Sequence, residues 1–117
     1  MKTTKQTTTK MFRQGDILIS YVDAIPAGAR PATPLLPDRM AVALGEVTGH
    51  AHVITEPWMA SLYESPDGNG YYATITGDTG LAHDEHSTIP LTPGTVRFKR
   101  QREYDMNAFL KERKVKD

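Results

Sequence analysis

The chain has 117 residues, 38% hydrophobic and 24% charged, a size and composition that suit one domain around one core rather than a two-domain enzyme with an interdomain cleft. It contains no cysteine, which excludes a disulfide frame and a thiolate metal site, so any ordered metal must use His, Asp, Glu or water. The 14 basic and 14 acidic residues cancel, but residues 1–13 carry +4, residues 14–96 carry −8 and residues 97–117 carry +4, and an acidic body of this kind disfavours a nucleic-acid partner.

Residues 1–11, mostly Thr, Lys and Gln, have no apolar periodicity and read as a flexible basic tail. They lack the apolar block of a secretory signal, and no run in the chain approaches the roughly 18–20 apolar residues that span a bilayer. The expectation is a cytoplasmic protein with no membrane contact. A β-domain is predicted over residues 12–105. Its first element runs from Phe12 to Val22, with a turn at Gln14-Gly15-Asp16 and the β-branched and aromatic run Ile17-Leu18-Ile19-Ser20-Tyr21-Val22. Residues 24–39 hold Pro26, Pro31, Pro34 and Pro37, each lacking a backbone donor, and read as a loop or arm that offers a route to a homodimer.

Met40 to Ile54 reads as one long strand, or as two joined at Gly45 or Gly49. Ala60–Glu64 and Tyr71–Thr76 flank Ser65-Pro66-Asp67-Gly68-Asn69-Gly70, a composition that predicts a hairpin. Gly77-Asp78-Thr79-Gly80 reads as a turn, Ser87–Leu91 as a short strand, Pro93-Gly94 as a tight turn and Thr95–Tyr104 as a long closing strand. Residues 106–117 read as a short basic helix or tail. Strands at this spacing, punctuated by Gly and Pro, predict an all-β fold: a small antiparallel barrel or sandwich with a short C-terminal helix.

All four histidines fall in two clusters, Gly49-His50-Ala51-His52 and His83-Asp84-Glu85-His86. Residues i and i+2 of a strand share a face, so His50 and His52 can aim both imidazoles at one point, with Glu46 further along that face. The i, i+3 spacing of His83 and His86 suits a turn or bulge. One of these two then completes a three-histidine site, with Glu85, Asp84 or Glu56 as carboxylate ligand or base.

With Gly45, His50, His52 and Glu56 in this order, the chain resembles the first motif of the cupins, and Pro93-Gly94 resembles the turn of their second motif. The resemblance implies a small barrel that binds a divalent metal, Zn, Fe, Mn, Ni or Cu, through His50, His52 and Glu56, with His83 or His86 in the place of a further ligand. His86-Ser87-Thr88 also resembles the His-x-Thr of two-histidine phosphoesterases. The blocks around His52, His86 and Arg100-Gln101-Arg102-Glu103-Tyr104 resemble a family of small uncharacterised bacterial and phage proteins, which implies no activity.

Along Val96 to Tyr104 the even positions are Val96, Phe98, Arg100, Arg102 and Tyr104. If Val96 and Phe98 face the core, Arg100 and Arg102 reach the barrel mouth, where guanidinium groups with Tyr104 beside them can hold a small anionic ligand. The alternative is that they pair with the acidic body. Three functions follow: a metal-binding cupin-like protein, with Glu85 or Glu56 as proton carrier if it is an enzyme; a non-enzymatic protein-interaction module with structural histidines; or a metal-independent phosphoesterase using His83 or His86.

Overall fold

The computed structural model describes residues 10–33, 39–44 and 50–101. Gly15, at φ 62, supplies the left-handed turn that folds Met11–Gln14 (β1) back on Ile17–Val22 (β2), pairing Gln14 with Ile17. Arg30–Pro31 (β3) is a two-residue strand inside the proline-rich stretch. Ala41–Leu44 (β4) and Ala51–Ile54 (β5) are separate strands paired antiparallel, with residues 45–49 outside the description. A single 3-10 turn, Pro57–Met59, leads into Ala60–Glu64 (β6), which pairs with Tyr71–Ile75 (β7) as the turn composition between them predicts. Thr79–His83 (β8), His86–Leu91 (β9) and Gly94–Arg100 (β10) follow among the described residues.

The strands form two antiparallel sheets, ordered β1-β2-β10-β7-β6-β3 and β4-β5-β8-β9. They pack as a sandwich whose shared core takes Ile17, Ile19, Ala73, Val96 and Phe98 from one sheet and Val42, Ile54, Leu81 and Leu91 from the other. The fold is all-β, as the spacing of turns predicts. Among the described residues no helix is long and apolar enough to cross a membrane.

Two expectations need correction. The middle of the proline-rich stretch is not a free arm, because Arg30 and Pro31 pair with Glu64 and Tyr63 at the sheet edge, where a proline's missing donor faces no neighbouring strand. The turn read over Gly77–Gly80 ends earlier, and Thr79 and Gly80 already belong to β8. Gly80 lies in a strand because a Cβ there would stand 3.0 Å from Thr88 Cγ2 of β9. The closing strand is seen as far as Arg100, and the helix expected over residues 106–117 lies outside the described residues.

Candidate functional site

The two histidine clusters meet. His50 and His52 lie at the start of β5, and His83 and His86 face each other across the β8–β9 turn formed by Asp84 and Glu85, next to a register shift in that pair. Because β5 pairs with β8, the four rings come together: His52 to His83 is 4.4 Å between centroids, His83 to His86 4.7 Å, His50 to His83 5.6 Å and His52 to His86 6.5 Å. A zinc-sized ion about 2.0–2.1 Å from a ring nitrogen lies about 3.2 Å from the ring centre, so two ligating rings stand no more than roughly 6.4 Å apart. His83 is within that range of each of the other three.

His52 is the buried member, 1% exposed. Its Nδ1 is 2.8 Å from Gln14 Oε1, and Gln14 Nε2 donates to the Leu81 carbonyl at 2.7 Å and the Ser87 carbonyl at 2.9 Å. Both amide hydrogens of Gln14 are therefore spent on carbonyls. Its oxygen must accept, so His52 Nδ1 carries the hydrogen and Nε2 keeps its lone pair. Burial, with repulsion from His83 next in weight and the Asp16 carboxylate opposing, pushes the His52 pKa down to about 4. His52 Nε2 then lies 3.9 Å from Asp16 Oδ1, with no hydrogen to share near neutral pH.

The outer flank is more exposed. His50 Nε2 is 3.4 Å from Asp84 Oδ2, while His50 Nδ1 is 3.9 Å from Glu85 Oε2 and is buried with no hydrogen-bond partner among the described residues. The Glu85 N–H donates to His83 Nδ1 at 3.1 Å, so a neutral His83 carries its hydrogen on Nε2 and must turn over or lose that hydrogen to act as a ligand. Among the described residues no three His, Asp or Glu side chains converge as a preformed metal cage. Gly15 closes the floor: a Cβ there would stand 2.9 Å from His86 Nε2 and 3.5 Å from His52 Cε1.

With that geometry in view, the model of a domain family of unknown function, DUF8820, matches residues 13–101. The chain belongs to the DUF8820 family. No curated protein and no solved structure matches it. The DUF8820 span takes in both histidine clusters, Gln14, Asp16 and Arg100, and stops short of Arg102 and Tyr104.

The DUF8820 fold separates Glu56 from the histidines. Glu56 sits beyond the far end of β5, four residues from His52 at about 3.3 Å each. There it accepts from Thr55 Oγ1 and Thr79 Oγ1, both at 2.6 Å, and these bonds hold its carboxyl below the usual range. Arg100 stands on the inward parity of β10, after Val96 and Phe98, and donates to Asp16 Oδ2 and to the Leu44 carbonyl. Arg97, on the opposite parity, bonds Asp67 at 3.1 Å and covers the Tyr72 ring. Glu46, Arg102 and Tyr104 lie outside the described residues. The residues the sequence did not single out are Gln14 and Asp16. Their only signal was polarity on both sides of a turn glycine.

Proposed function

We propose that this domain binds a divalent metal ion through His52, with Asp16 and His83 or His86 as further ligands and His50 of the cupin-like His-x-His pair on the flank of the site. One observation carries the reading: His52 Nε2 and Asp16 Oδ1 are two acceptors 3.9 Å apart, and the Gln14 amide keeps the ring hydrogen on the other nitrogen. Two metal–ligand bonds of about 2.1 Å span up to roughly 4.2 Å, so one ion satisfies both atoms. His83 and His86 supply the remaining imidazoles after the side chains reorient, and the orphaned His50 Nδ1 marks the flank from which Asp84 and Glu85 can contribute. Asp16 takes the role that the cupin resemblance gave to Glu56. Such an ion would act as a Lewis acid, with Glu85, near His50, the candidate proton carrier. The cysteine-free chain fits a cytoplasmic setting for it.

Equilibrium dialysis of untagged protein against Zn²⁺ and Ni²⁺ tests this. Wild type is expected to show one tight site, weakened in His52→Ala and Asp16→Asn by more than the roughly 10–100-fold that a change behind a ligand costs, and unchanged in Arg97→Ala. Equal loading of wild type and His52→Ala rejects the site. A second reading, a non-enzymatic interaction module, is favoured by the link that Gln14 and His52 already make between the sheets and by Trp58, 73% exposed on the 3-10 turn. It predicts no tight metal site at all.

A further inference from the structure

Away from the histidines, a cavity of about 340 Å³ opens between β4 and the larger sheet. Its floor is carbon: Ile17, Val42 and Phe98 are core residues no more than 3% exposed, and Tyr71 closes one side. Asn69 and Arg100 are its polar rim, and Arg100 is the one charged side chain among the described lining residues. The volume stands at the lower end of small-molecule sites, roughly 300–1,000 Å³. Water is a poor occupant of such a floor, because it needs two to four polar partners and finds them only at the rim.

The rim sets the charge of the occupant. A guanidinium has five N–H donors, and the bonds to Asp16 and the Leu44 carbonyl use one each. Those two bonds also hold the planar group in one orientation at the cavity mouth, which lowers the cost of ordering it around a ligand. A planar two-oxygen acceptor matches the remaining N–H groups. Because Asp16 already offsets much of the positive charge, a monoanion fits better than a dianion such as a phosphate monoester. We propose that this cavity binds a small monocarboxylic acid with an apolar tail, the tail against Leu44 and Tyr71 above the buried floor and the carboxylate on Arg100. The proposal goes beyond the metal reading and needs no metal, so it is tested with metal removed and the two can fail separately.

The experiment is a ¹H–¹⁵N NMR titration of the whole chain in chelator with three probes: hexanoate, hexanol and acetate. Hexanoate is expected to shift the amides of Ile17, Val42, Tyr71 and Phe98 and to bind at least about tenfold tighter than hexanol, which lacks the charge, or acetate, which lacks the tail. Arg100→Gln should bring hexanoate down to the hexanol level, and Val42→Phe, which fills the cavity, should abolish both. The wild-type comparison stands if either variant fails to fold. No shift of these amides with hexanoate, or equal affinity for hexanol, overturns the proposal.

Discussion

Replacing Gln14 by leucine strands two buried polar groups, the Nδ1–H of His52 and the carbonyl of Leu81, and removes the donor to the half-buried carbonyl of Ser87. Each unmade bond in such a setting is costly, and the expected loss of stability is about 2–4 kcal/mol, read from urea unfolding. Metal affinity should fall with it, by roughly 10–100-fold, because the ring is no longer held in the tautomer that frees Nε2. Asp16→Asn, by contrast, should affect metal far more than folding, since the amide oxygen can still face Arg100. At this scale the histidines were legible in the sequence, because a His-x-His spacing and a short turn between two others limit where rings can point. Gln14 and Asp16 were not. A polar residue beside a turn glycine usually faces water, and only the packing of the second sheet over β1 turns Gln14 inward, where it is 2% exposed.

The β1–β2 turn is the element on which the site rests. Gly15→Ala meets two penalties: a left-handed backbone that L side chains adopt at a cost of about 1–2 kcal/mol, and a methyl 2.9 Å from His86 Nε2. His86 is exposed and can swing away, so the variant is expected to fold with a modestly lower Tm and to lose metal affinity disproportionately; dialysis and thermal melts on the same sample separate the two effects. Normal metal loading in Gly15→Ala would remove His86 from the ligand set. Strands with β-branched runs or alternating burial, such as β2 and β10, could be read from the chain alone, including the parity that sends Val96 and Phe98 inward and Arg97 out. β8 could not, because Gly80 has a turn former's identity for a packing reason, the approach of Thr88 from β9. β3 was hidden by its proline, which an edge position tolerates.

For the molecule as a whole, acidity should act through His52. Its folded-state pKa of about 4 lies below the ordinary 6.5, so the unfolded chain takes up a proton over a range in which the folded one does not. This contribution to stability is complete above about pH 6.5 and is lost progressively as pH falls to about 4, where the folded state protonates too. In chelator, Tm is expected to drop across that window, and less steeply in His52→Gln; parallel slopes would mean that burial does not hold the ring neutral. The sandwich that buries this ring is joined unevenly. On one side the Gln14 amide ties β1 to the carbonyls of β8 and β9, and on the other the sheets part around the cavity beside β4. That tie also decides how β1 is aligned. Strands commonly find their register by burying every second side chain, but Met11, Phe12 and Arg13 are all exposed and Gln14 alone is buried. A slip of one residue would offer Arg13 or Gly15 to His52, and neither has an amide's paired donor and acceptor. The alignment of β1 is thus written in hydrogen-bond complementarity instead of in hydrophobic alternation.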